Sequence, residues 1–587
     1  MIRTQPADET VAIGQSATFT VVASGSAPLS YQWKKGGSDI SGATSSSYAT
    51  PAAASGDDGT QFSVSVSNSA GAVASSPATL HVTGAAEVLT YHNDNSRSGL
   101  NPSETILTTS NVNGAGFGKL GAYSTDGQVN AEPLYLSQVD IPNQGKHNVL
   151  YVVSEHDSVY AFDADNGSIL WQVSLLGSGE STSDDFGCGQ VTPEIGITAT
   201  PVIDRSRGPH GAIYIVAMSK NSAPQYFQRI HALDVTTGAE LFGGPKTIQA
   251  TFPGTGDGST NGTVIFDPKQ YNDRAGLTMV NGTIYTAWGS HCDFRPYTSW
   301  VMGFDANTLA QTSVINLTPN GNDGGMWMAG GAPAADSSGN IFLLNGNGTF
   351  DTALNANGFP NQGDCGNCFV KLSTAGGLKL SDYFTMFNTV QESDVDEDLG
   401  SGAAMLLPDL TDNGGQAHHL AVGAGKDAHI YVVDRDSMGK FNSSANNIYQ
   451  DITGALSSGL FSMPAYFNNM VYYGAVGDSI KGFAISNAKL ATRATAHTSN
   501  TFGYPGTTPS ISSNGTNQGI VWAVENSNPA VLHAYDAGNL SHELYNSGQS
   551  GTRDNFGPGN KFITPMVVNG KIYVGTGTGV AVFGLLP

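Results

Sequence analysis

The sequence predicts an all-β protein: a small sandwich followed by a large β-propeller. Three observations carry this. Glycine fills 74 of 587 positions while charged residues make up only 12%, the composition of short strands joined by tight turns. Apolar and polar residues alternate in short runs, which puts one row of side chains on one sheet face. One strand–turn–strand pattern also returns along most of the chain. Its spacing of roughly 40–60 residues is the period of a four-stranded propeller blade.

The first unit covers residues 1–84. It is rich in Ala, Ser, Thr and Val, with alternating runs at residues 17–22, Tyr31-Gln32-Trp33 and residues 61–67. Trp33 is expected at the core, as the large aromatic that joins the two sheets of a small sandwich. The stretches Gly14-Gln15-Ser16-Ala17-Thr18-Phe19, Pro28-Leu29-Ser30-Tyr31-Gln32-Trp33 and Asp58-Gly59 with Gln61-Phe62-Ser63-Val64 resemble a bacterial immunoglobulin-like domain. The unit has no cysteine, so the inter-sheet disulfide of antibody domains is missing. The resemblance implies an exported protein, secreted or at the cell surface. Gly84-Ala85-Ala86 reads as a short linker.

The second unit covers residues 88–587. Its clearest repeat is Val149-Leu150-Tyr151-Val152-Val153, then Ser158-Val159-Tyr160-Ala161-Phe162-Asp163, a polar turn and Trp171. Related copies contain Ile213–Val216 with Ile230–Gly238, Ile284–Ala287 with Val301–Asp305, Ile430–Asp434, Ile480–Phe483, Leu532–Asp536 and Val580–Phe583. With a divergent copy near Ile341–Leu372, about eight units are expected, which gives eight blades, with seven as the alternative. The Asp and the Asn-Gly or Thr-Gly that follows it suit a turn to the outer strand. The last copy lacks a fourth strand, and Phe117–Tyr123 is expected to supply it and close the ring. A closed ring buries both faces of every sheet and leaves little exposed edge.

Lys and Arg number 25 against 48 Asp and Glu, a net charge of −23. That balance excludes nucleic acid as a partner, since phosphate binding needs clustered cations. No run approaches the roughly 18 apolar residues that span a bilayer, and the first residues hold no signal-peptide core. The cysteines are Cys188, Cys292, Cys365 and Cys368. Cys365 and Cys368 have metal-ligand spacing, but no second pair accompanies them. Phe369 stands where a covalent c-type haem needs His, so a local disulfide or two free thiols is expected.

The repeat around Tyr160-Ala161-Phe162-Asp163 and Trp171 resembles that of quinoprotein (pyrroloquinoline quinone, PQQ) propellers. The opening Asn95-Ser96-Arg97-Ser98-Gly99 and the strand starts Thr200-Pro201-Val202 and Thr564-Pro565-Met566 extend the likeness to quinoprotein alcohol dehydrogenases. The resemblance implies five site residues. Trp327 would be the stacking floor of the quinone. Asn347 would ligate the metal, and Asp398 would add a second ligand. Asp396 would be the catalytic base, and Lys426 would hold the quinone oxygens. It also implies PQQ and Ca²⁺ as cofactors and a separate protein as electron acceptor, because no haem-attachment motif follows. The chemistry is coherent: a hard cation takes carboxylate and amide oxygens, while a carboxylate removes an alcohol proton. The chain departs from the family in two places. Cys188 is followed by Gly189 where the family has adjacent cysteines, and the second-blade Glu ligand has no match.

Three functions stand open on the sequence. One is a secreted PQQ- and metal-dependent oxidoreductase acting on an alcohol, sugar or polyol. Another is a non-catalytic extracellular propeller that binds protein or glycan. The third is a polysaccharide lyase or hydrolase. The expected ligand is a small molecule or glycan in the propeller channel. His291-Cys292-Asp293 and His418-His419 read as exposed loop residues, and Glu155-His156-Asp157 as a strand-end turn.

Overall fold

A computed structural model of the chain describes residues 1–13, 16–51, 53 and 57–587. Gly14 and Gln15 of the N-terminal pattern lie outside the described residues. Strands dominate throughout. Among the described residues the α-helix is represented by the six residues Thr389–Asp394.

The N-terminal sheet is built on Glu9–Ile13, Ser30–Lys35, Thr60–Asn68 and Ala78–Ala85. Thr18–Thr20 pairs with Ser47–Ala49. Alternation along Thr60–Asn68 buries Phe62, Val64 and Val66. Trp33 is fully buried between Phe19 and Tyr48, and its indole N–H donates to the Ser45 carbonyl at 2.9 Å. The expected linker is not a linker. Gly84 and Ala85 belong to the strand Ala78–Ala85, and Ala85 pairs with Ile13. Glu87 and Val88 already pair with Leu136 and Tyr135 of the next sheet. Backbone pairing on both sides leaves no slack there.

From residue 87 onward the described residues form eight sheets of four or more strands, mostly hairpin-connected. Phe117–Ser124 pairs antiparallel with Gly579–Leu585, from Phe117 opposite Leu585 to Ser124 opposite Gly579. The expected closing strand is therefore present. The core of the first large sheet also holds Ile213, Ile215 and Leu233 from the second sheet and Met566, Tyr573 and Val582 from the last.

The recurrent residues have a shared task. In each turn the Asp carboxylate accepts from the backbone N–H two residues on: Asp163 from Asp165, Asp234 from Thr236, Asp305 from Asn307, Asp434 from Asp436 and Asp536 from Gly538. This is the Asx turn that makes Asp a turn residue. The residue after the Asp offers its carbonyl to a buried Tyr of a neighbouring sheet. Tyr151 donates to Val235 at 2.9 Å, Tyr214 to Ala306 at 2.7 Å, Tyr472 to Ala537 at 2.9 Å and Tyr573 to Ala164 at 3.3 Å. The last of these links the final sheet to the first. Trp171 packs on a neighbouring turn at Gly238, where φ is +69° and a Cβ would fall 2.7 Å from the indole; only glycine suits both conditions.

The opening segment is pinned by Arg97, which is completely buried. Its guanidinium donates to Thr90, to Thr278 and to the carbonyls of Tyr91, Asp94 and Pro333. A buried guanidinium whose three nitrogens all donate hydrogen bonds is a structural pin.

Candidate active site

The functional side chains come from loops at the sheet ends. Trp327 precedes the single turn Met328–Gly330. Asp396 and Asp398 lie between the helix Thr389–Asp394 and the turn Leu399–Ser401. Lys426 sits between the strands Leu420–Ala424 and Ile430–Asp434, where its N–H donates to the Asp398 carbonyl at 2.9 Å. Asn272 and Arg274 adjoin the short pairing of Tyr271–Asn272 with Gly289–Ser290, and His291, Cys292 and Asp293 continue the second of these strands. These loops enclose a cavity of about 350 Å³. Phe461, Tyr504 and Phe562 form an aromatic side of its wall.

Four of the five expected residues line this cavity: Trp327, Asp396, Asp398 and Lys426. Trp327 is half-buried. Its ring rests on Gly289, where a Cβ would approach to 3.3 Å. The absent side chain is what lets the indole lie down there. Lys426 Nζ lies 2.5 Å from Asp396 Oδ1 and 3.0 Å from Asp398 Oδ1. The Asp398 side chain is 2% exposed and that of Asp396 58%. Burial pushes the Asp398 carboxyl up to about 6, against the pull of Lys426. Burial also works against the Lys426 charge, but Asp398 and Asp396 together hold the ammonium above the ordinary lysine range.

Asn347 does not join them. Its carbonyl accepts from Gly324 N–H, and it is not among the cavity-lining residues. The chain approaches the cavity one residue earlier, at Gly346, where a Cβ would lie 3.5 Å from Asp398 Oδ2 and 3.7 Å from the Trp327 ring. A Cβ at 346 would also lie 3.0 Å from the Gly325 carbonyl oxygen, a tight approach, and residue 347 is already in the loop that bridges Asp323 and Gly348.

Three further features escaped the sequence reading. Cys188 and Cys292, 104 residues apart, form a disulfide in the cavity wall, whereas Cys365 and Cys368 form the local one that was among the expected alternatives. His291, expected in solvent, is 4% exposed, and burial lowers its imidazole to about 4, so it is neutral at neutral pH. Arg274 is also 4% exposed and lines the cavity. Backbone strain gathers here too. Cys292, Asp293, Ala329, Asp396 and Phe562 all line the cavity at φ between 50° and 62°. Non-glycine residues adopt that region at a cost of order 1 kcal/mol each, and such residues cluster where function demands a fixed geometry.

The cavity suits a planar anionic quinone: an indole floor, an aromatic wall, a disulfide and two cations. It does not suit a calcium ion held as expected. The Lys426 ammonium already occupies the position between the two carboxylates, and Asn347 is not among the residues lining the cavity. Among the described residues no group of three His, Cys, Asp or Glu side chains is arranged to hold an ion.

No family model matches the chain. Its fold is similar to the quinohemoprotein alcohol dehydrogenase of Comamonas testosteroni, with a TM-score of 0.53 and 14% identity over 85% of this chain and 80% of that one. A europium-containing methanol dehydrogenase gives 0.51 and 13%, over 85% and 98%. Among curated proteins, endoglucanase C of Cellulomonas fimi is 38% identical over 96 residues, which are 16% of this chain and 9% of that enzyme. The chain thus spans under a tenth of that relative. No helix among the described residues is long and apolar enough to cross a membrane. The protein has the all-β propeller fold of the quinoprotein alcohol dehydrogenases, at an identity that speaks for fold alone.

Proposed function

We propose that the chain is a secreted quinoprotein-type oxidoreductase: an immunoglobulin-like module of residues 1–84 ahead of an eight-bladed propeller of residues 88–587. Its cavity would hold PQQ and oxidise an alcohol, sugar or polyol, passing electrons to a separate acceptor protein. One observation carries this reading. Trp327, Asp396, Asp398 and Lys426, drawn from three separate loops, line the same cavity.

When bound, the quinone supplies the two-electron acceptor for the carbinol hydride. The chain's own residues do the rest. Trp327 offers a flat surface braced by Gly289. Asp398 suits the base better than Asp396: with its carboxyl raised to about 6 by burial, it is mostly ionised at neutral pH yet holds a transferred proton readily. Lys426 keeps that carboxylate oriented, and the half-exposed Asp396 shares the ammonium at the rim. No step is assigned to a metal, since the donor set does not fit one.

The test is a PQQ titration followed by tryptophan quenching and calorimetry, then dye reduction with an alcohol panel. Saturable binding that Trp327→Ala weakens tenfold or more is the expected result. Absence of PQQ binding sinks the reading. The poor fit to a metal favours a second one, a propeller that binds a glycan without turning it over, which a glycan array would reveal.

A further inference from the structure

We propose that Arg274 is an anion subsite that takes the carboxylate of a ring-shaped ligand. The inference rests on the cavity being the ligand site, but not on the ligand being a quinone. Arg274 is 4% exposed, yet it makes no ion pair and no hydrogen bond, and Nη2 is buried without a partner. Its one close neighbour of note is the ring of Phe562, with Cζ 4.7 Å from the centroid. Arg97, equally buried, shows what a structural guanidinium looks like: it donates five hydrogen bonds. Burying a cation without a partner costs several kcal/mol.

The other charges around the cavity are already committed. Lys426 is held by Asp396 and Asp398. Asp293 accepts from the Tyr297 hydroxyl at 2.6 Å. Glu155, whose field reaches Arg274, is occupied by Asn130, Gly196 and Thr198. His291 is neutral, with a buried Nε2 that has no partner. Arg274 is thus the one cation lining this cavity that lacks a counter-charge. A guanidinium presents a planar fork that matches a carboxylate with two parallel bonds. Trp327, Phe461, Tyr504 and Phe562 in the same wall suit the flat face of a ring.

The carboxylate could come from a sugar acid or from PQQ itself, and the experiment separates the two. Galacturonate, galactose and PQQ are titrated into the full chain and into Arg274→Met, with melting temperatures recorded. Galacturonate should bind at least tenfold tighter than galactose, about 1.4 kcal/mol. Arg274→Met should erase that preference and melt no lower than the wild type, because it removes an uncompensated charge. If galacturonate does not bind but PQQ does, and Arg274→Met weakens PQQ at least tenfold, the carboxylate belongs to the quinone and the subsite stands. If galacturonate binds and PQQ does not, the quinone reading falls and the subsite stands. Equal binding of acid and neutral sugar, a preference that survives Arg274→Met, or PQQ affinity unchanged by the variant when PQQ alone binds would each overturn the proposal. So would failure of both acids to bind, or a marked drop in melting temperature on losing the guanidinium.

Discussion

Replacing Lys426 with Met should produce a stability loss that grows with pH. The buried Asp398 carboxyl titrates near 6 with Lys426 beside it; in the unfolded chain an aspartate titrates near 3.9. A carboxyl whose folded pKa is raised costs stability as pH climbs from the unfolded value through the folded one, and nothing more above it. In the wild type that loss is complete soon after pH 6. Without the ammonium the carboxyl keeps its proton to higher pH, so the loss continues. Each pH unit over which the folded state alone holds a proton costs 1.36 kcal/mol, so between pH 6 and pH 8 the variant falls behind by up to roughly 3 kcal/mol more. The Asp396 contact adds little, because that carboxylate is 58% exposed and screened. Urea unfolding of both proteins at pH 5, 6.5 and 8, followed by circular dichroism, measures the difference. A deficit equal at all three values would refute the role of Asp398 as the buried partner.

Two further outcomes follow from packing. Trp33→Ala removes a fully buried indole whose ring contacts with Phe19 and Tyr48 lie within the N-terminal unit. It should cost about 3–5 kcal/mol and make residues 1–85 the first site of tryptic cleavage, with ligand binding unchanged in the cavity, which no residue of this unit lines. Tyr214→Phe removes the donor to Ala306. It should lower stability by about 1–3 kcal/mol, because a buried carbonyl loses its partner; a melt equal to wild type would show that the inter-sheet bond is energetically silent.

Much of the fold was legible because a repeat states its own period. Aromatic-Asp turns such as Phe162-Asp163 and Phe304-Asp305 mark the same strand each time, and the structure gives each Asp the same Asx turn. The closing role of Phe117–Tyr123 followed from counting strands, and the strand runs one residue further, to Ser124. The junction at Gly84-Ala85 was misread because small residues suit a linker and a tightly paired strand equally well. Trp327, Asp396, Asp398 and Lys426 could be named from a resemblance, but their meeting depends on long-range closure that no local pattern encodes. Asn347 came from the same resemblance, but it is not among the residues lining the cavity, which the backbone approaches at Gly346. Arg274 left one trace, an arginine directly ahead of the small and apolar Ala275-Gly276-Leu277 in a chain with just 25 Lys and Arg residues. Its lack of a partner is a property of three dimensions.

The pairing of Phe117–Ser124 with Gly579–Leu585 also sets a timetable. The partners lie more than 450 residues apart. At about 5–20 residues per second, a ribosome needs roughly 20–90 s to deliver the second strand after the first. For that interval Phe117 and Tyr123, buried in the finished fold, belong to an unpaired strand edge that can recruit a strand from another nascent chain. Yield during biosynthesis should therefore depend on how well this one segment is shielded while the chain is being completed, more than on the stability of the closed ring.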